Sequence, residues 1–327
     1  MRFLTLFFAV FASTAHAQAD LDGAVEQHIL PGYALLSEQT EILSATAQSE
    51  CDPASEALRA AYHDAFDAWV GVSHLRFGPS ETDQRAFALA FWPDPRGSTP
   101  KALSRLIAAE DSVVESASDF ATVSVAGRGF YALEFLLFDP QFADAGPYGC
   151  TLIQRMTQDI AETASAIERE WRAGYADLIL TAGANDTYRS EAEAARQLFT
   201  ALTTGLEFTA TARLERPMGT FERPRPNRAE ARRSERSLRH VFLALQASQD
   251  LSQYLAGGNA ELAATYERAV ARTTALDDPA LAGVATPSGR LRVEAILVQV
   301  NAVRDILTEE VGPTLGIAAG FNALDGD

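Results

Sequence analysis

"GRGFYALEFLLF", residues 127–138, sets a single carboxylate, Glu134, inside a bulky apolar run, with Tyr131 three positions before it. Read at helical period, Tyr131 and Glu134 share a face. Phe130, Leu133 and Leu137 form the neighbouring stripe, and Phe135 and Leu136 widen it. A helix that is apolar nearly all round is a buried helix. A carboxylate carried inside must be paired, hydrogen-bonded or metal-bound, or it takes up a proton. The stretch therefore predicts a helix inside a helical core. Two readings of it are open. In one, Glu134 pairs with a buried arginine and Tyr131 is a core aromatic. In the other, both face a cleft.

Working outward, the pattern stays helical: Ala, Leu, Glu and Arg dominate, and alternating Val/Ile/Thr runs are scarce. Residues 20–49 read as a first long helix. Residues 53–74 read as a second, with Asp52 before Pro53 as its cap. "RFGPSETDQRAFALAFWPDPRGSTP" (76–100) holds four prolines and two glycines and reads as irregular chain around a short helix. Residues 151–173 read as a long amphipathic helix. "LTAGANDTYRS" (180–190) has the composition of a boundary. Helices are then expected over 190–214, 228–255, 259–276 and 288–311. The fold class that follows is all-α, with two helical-bundle domains packed against each other, 18–182 and 183–327.

The first seventeen residues, "MRFLTLFFAVFASTAHA", combine Arg2, an apolar stretch and an Ala-His-Ala ending. That is the layout of a secretory signal peptide, too short in its apolar part to span a bilayer. The expected location is the periplasm or cell envelope, with no membrane span in the remainder. Two cysteines, Cys51 and Cys150, in an oxidising compartment predict a disulfide. The net charge of −17 argues against nucleic acid and anionic lipid as partners.

Several chemistries are excluded by motif. There is no His-Glu-x-x-His, no Gly-x-Ser-x-Gly and no phosphate-binding glycine loop. After the leader only His28, His63, His74 and His240 remain. His63 and Asp67, at i and i+4, could be an oriented histidine or a surface pair. In "RAEARRSERSLRH" (228–240), Glu230, Ser234 and Ser237 are spaced to line one helix face.

At these residues the chain resembles the imelysin family, also called peptidase family M75. "LRFGP" (75–79) with "FWPD" (91–94) is similar to the family's first-half signature. "GFYALEFLLF" (129–138) lies where the family carries Gly-x-His-x-x-Glu. "RAEARRSERSLR" (228–239) is similar to a second-half segment, and "LGIAAGFNALDGD" (315–327) to the C-terminal ending. The resemblance implies two helical bundles with a site at their interface. It also implies a link to iron uptake, with a metallopeptidase label on some members. Carried over residue by residue, it points to Gly129, Tyr131 and Glu134, to Trp69, Arg76, Trp92 and Asp94, and to Glu230, Ser234 and Ser237. Tyr131 stands where the family has histidine. A phenol is a poor ligand unless deprotonated, so the site has either lost its metal or shifted toward ferric iron. An Arg76–Glu134 ion pair is a third possibility. The functional expectation is a protein that binds iron, another divalent or trivalent metal, or a small molecule, alongside other envelope iron-uptake proteins. The alternatives are a metallopeptidase and a non-catalytic envelope interaction module.

Overall fold

The computed structural model describes residues 19–317. The expected leader (1–17) and most of the C-terminal stretch 315–327 lie outside the described residues. Within them, every regular element is a helix. The principal ones are α1 (21–49), α2 (Glu56–Val72), the short α3 (Arg85–Leu89), α4 (Ser98–Ala109), α5 (Gly129–Phe138) and α6 (146–180). They continue with α7 (191–218), α8 (Ser237–Leu255), α9 (Ala260–Thr274) and α10 (287–314).

In the first half, α1 packs on α2 and α6, and α5 packs on α6. In the second, α7 packs on α8, α8 on α9, and α9 on α10. Packing of α2 against α8 joins the two sets. Burial is continuous across this join: Leu36, Phe66, Phe130, Ile160, Leu202, Leu245, Tyr266 and Val300 belong to one apolar cluster. The hydrophobic effect thus fixes α5, the most apolar helix, at the inside of the molecule.

Of the four π-helical stretches in the long helices among the described residues, one, Trp171–Tyr175 in α6, holds Gly174 at φ 156°, and three precede a proline: Ala24–Ile29 in α1, Thr209–Glu215 in α7 and Leu307–Val311 in α10. The prolines are Pro31, Pro217 and Pro313. A proline lacks the N–H for the i−4 bond and its ring pushes against that carbonyl. The carbonyls concerned belong to Gln27, Arg213 and Glu309, all inside the widened turns. In these three helices the feature that sets the wide turn is therefore the proline, not the residues within it.

Cys51, just beyond α1, is disulfide-bonded to Cys150 in the first turns of α6, with Cα atoms 5.1 Å apart. The α2 cap is Ser55, which accepts from Leu58 N at 3.3 Å, rather than Asp52. Asp52 instead accepts from Ala54 N at 2.8 Å in the turn before the helix. A larger difference concerns residues 228–236. They were expected to open a helix, but α8 begins only at Ser237. The preceding residues form turns, with Ala231 and Glu235 at positive φ of 44° and 58°. Their polar groups are held by long-range bonds to α5 and α7 instead of by a helical ladder.

Candidate functional site

Gly129 opens α5 at φ +74°, and a Cβ there would lie 2.2 Å from the Ala88 carbonyl oxygen of α3. No side chain fits that approach. The glycine lets α3 press on the start of α5 and so sets where Tyr131 and Glu134 project. Both are buried, at 7% and 2% exposure.

Tyr131 and Glu134 do not bond to each other. Each reaches into the 229–237 segment. The Tyr131 hydroxyl donates to Glu230 Oε1 in a short hydrogen bond. Glu230 Oε2 accepts from Arg213 Nε at 2.7 Å and lies 3.3 Å from His240 Nδ1. Arg213 also donates to Thr209 Oγ1 at 3.1 Å. Glu134 Oε1 accepts from the backbone N–H and the hydroxyl of Ser234, at 3.0 and 2.9 Å. Ser237 Oγ donates to the Glu230 carbonyl and ties off the turn.

The charge states follow. Burial alone would push the Glu230 carboxyl up, but Arg213 and His240 overcome it and hold it well below the usual carboxylate range. Burial and the adjacent Glu230 charge push the Tyr131 phenol well above its ordinary value, so it remains a proton donor. Burial also raises Glu134, although the two Ser234 donors pull the other way.

Two chambers flank this network. The inner one, about 120 Å³, is lined by Trp69, His74, Tyr131, Phe208, Arg213 and Glu230, among others. The outer one, about 230 Å³, is lined by Trp92, Asp94, Tyr131, Glu134, Arg216 and Arg228, among others. Tyr131 and Trp92 border both chambers, and their rings stack with centroids 6.0 Å apart.

The sequence profile of the imelysin family, Peptidase_M75, matches residues 29–308. The chain belongs to the imelysin family. Among solved structures, it is similar to an imelysin-like protein from Psychrobacter arcticum 273-4, with a TM-score of 0.78 and 19% identity. The match covers 92% of this chain and 96% of that one. It is also similar to a Parabacteroides distasonis ATCC 8503 protein assigned by inference as an iron-regulated protein A precursor. That match has a TM-score of 0.68 and 13% identity, over 90% of this chain and 97% of the other. At these identities the likeness shows a shared fold. Among curated proteins there is no significant match.

The imelysin motif positions converge in space. Gly129, Tyr131 and Glu134 meet Glu230, Ser234 and Ser237 although the latter three do not share a helix face. Trp69 is buried against the inner chamber, and Trp92 stands between the two. Asp94 borders the outer chamber; its Oδ2 accepts from Thr99 N at 2.8 Å near the start of α4, while its Oδ1 is buried without a partner. Arg76 does not reach Glu134: it is ion-paired with Glu81 at 2.5 Å and lies over the Phe87 ring. His63 and Asp67 make no pair either. His63 stacks on Phe138, and burial lowers it to about 4. Asp67 instead bonds across the join to Arg236 and to Arg239, the latter at 3.0 Å.

Sequence reasoning missed Arg213, the cation that neutralises Glu230. Its signal was Pro217, four residues on, which creates the π-helical turn that holds it. It also missed His74, which lines the inner chamber with its Nε2 3.1 Å from His28 Nε2. Asp250 Oδ2 anchors the other face of His28 at 2.7 Å. No local spacing announces a contact between residues 46 positions apart.

The donor set does not fit a resident metal ion. The Tyr131 proton is committed to Glu230, and both Glu230 oxygens and one Glu134 oxygen are taken. Among the described residues, no group of three His, Cys, Asp or Glu is arranged to hold a metal. That leaves at most the second Glu134 oxygen and the Asp94 carboxylate at the outer chamber, fewer than the four or more ligands that zinc, iron or calcium sites use.

Proposed function

We propose that this imelysin-family protein is an exported binding protein with an iron-related role, and that a small ligand occupies the chambers on either side of Tyr131. On this reading the chain divides into two helical bundles near residue 182, and the ligand sits between them. The observation that carries the proposal is the shared Tyr131–Trp92 wall. A motif that had decayed into packing would be expected to leave no space, whereas here two chambers of about 120 and 230 Å³ meet at the motif tyrosine.

The chemistry available is binding rather than bond cleavage. Tyr131 donates a hydrogen bond, and Glu230 and Arg213 neutralise each other, so none of the three is free to serve as a nucleophile or its base. Since the chain's own donors do not form a metal cage, iron would be cargo that arrives with ligands of its own.

Titration calorimetry on the exported form tests this, with Fe(III) supplied as citrate and as acetohydroxamate complexes. Heat is expected with at least one complex, and at least a tenfold weakening in Trp92→Ala. If neither complex binds, the proposal is overturned.

A further inference from the structure

The outer chamber contains a charge arrangement that the fold does not require. Arg216 and Arg228 both line it, and neither makes an ion pair or a side-chain hydrogen bond among the described residues. Several other buried or half-buried arginines are matched, Arg128 with Asp159, Arg213 with Glu230, Arg233 with Asp139 and Arg236 with Asp67, although Arg232 has a buried Nε without a partner. Arg216 is half-buried, with its guanidinium 5.9 Å from the Trp92 ring centroid. Both guanidinium groups border the same chamber, and burial, then the Arg228 charge, push Arg216 below its ordinary range. Such a pair costs stability unless an anion comes between them. In a chain of net charge −17, acids to match them were plentiful.

We propose that Arg216 and Arg228 form an anion subsite in the outer chamber for a small polycarboxylate, which brings the metal with it as a chelate. The inference deepens the preceding functional reading and rests on it for the metal. Guanidinium groups bind carboxylates through paired, parallel N–H donors, and Arg is suited to such recognition as Lys is not. Trp92 supplies an apolar floor beside them. The chamber is also lined by the Asp94 and Glu134 carboxyls, so a guest with carboxylates at one end and a cation at the other matches both kinds of lining. Its volume of about 230 Å³ falls below the range of roughly 300–1,000 Å³ typical of drug-sized pockets. A guest the size of a di- or tricarboxylate suits that space, and a peptide does not.

The probe is citrate, alone and as its Fe(III) complex, titrated into the exported protein at low and moderate salt. Both are expected to bind the wild type. Arg216→Gln and Arg228→Gln are each expected to weaken binding at least tenfold. Arg223→Gln, on the same connection but outside the chamber, is expected to change nothing. Arg228 is exposed, so its replacement leaves the fold intact and keeps the test valid if Arg216→Gln unfolds. Wild-type affinity in Arg228→Gln, or failure of both citrate forms to bind the native protein, overturns the subsite. Fe(III) acetohydroxamate bound with no dependence on either arginine, in a protein that ignores citrate, would leave the iron reading standing without the subsite. Citrate binding lost in the arginine variants, with no affinity for any Fe(III) complex, would leave the subsite standing without the iron.

Discussion

At the scale of single residues, the site is a set of buried charges whose accounts can be separated by pH. Glu230 is held below the usual carboxylate range, so its stabilisation is present above that range and is lost as pH falls through it toward the depressed value. Glu134 is raised. Between its usual and raised values the folded state keeps a proton that the unfolded chain releases, so lowering the pH through that window adds stability. Urea unfolding over a pH series should therefore show a milder acid-side loss in Glu230→Gln, which also costs about 3–5 kcal/mol near neutrality by leaving Arg213 unpaired. Glu134→Gln should remove the gain seen on acidification. Gly129→Ala is expected to cost more than about 2 kcal/mol, from the left-handed backbone together with the clash at Ala88. The need to bury a carboxylate in α5 was legible in the sequence, because an apolar run with one acid has few solutions. Its partners were not, since Ser234 is 100 positions away from Glu134.

At the scale of elements, most helices followed from periodicity, and their ends from prolines, glycines and hydroxyl caps. Residues 228–236 are the instructive exception. Their spacing of polar residues matches a helix face, yet the backbone forms turns because Glu134 takes the Ser234 N–H and Ser237 Oγ takes the Glu230 carbonyl. Tertiary bonds here outweigh a local preference worth only tenths of a kcal/mol per residue. The turn carries strain at an exposed position: Glu235 sits at φ 58°. Glu235→Gly should raise stability by about 0.5–1 kcal/mol, with part of the relief offset by the greater freedom of glycine when unfolded. Chemical denaturation of the two proteins measures it, and a loss on substitution would show the strain to be absent. Arg213 illustrates the opposite case, in which an element feature was legible but its consequence was not. Pro217 marks an interrupted ladder, but only the packed structure shows that the interruption holds a guanidinium against Glu230.

At the scale of the whole molecule, the all-α class follows from composition and period. The meeting of two helix sets at α2 and α8 depends on contacts that no short window contains. The Cys51–Cys150 bond closes a separation of 99 residues, worth up to about 4.7 kcal/mol in the chain-entropy picture. Unfolding with and without reductant should reveal a loss of that order, and Cys51→Ser should reproduce it in the oxidised buffer. The acidic whole and the basic outer chamber also differ in how they respond to salt. Screening relieves the general self-repulsion while weakening attraction to the arginines. One further consequence lies in the partition between the chambers. Trp92 borders both, Trp69 only the inner one, and Trp171, the third indole, neither. The protein thus contains its own optical reporter. A paramagnetic guest in the outer chamber should quench Trp92 emission most strongly, and one in the inner chamber should dim Trp92 and Trp69 together, so emission spectra of single-indole variants would reveal which room is let.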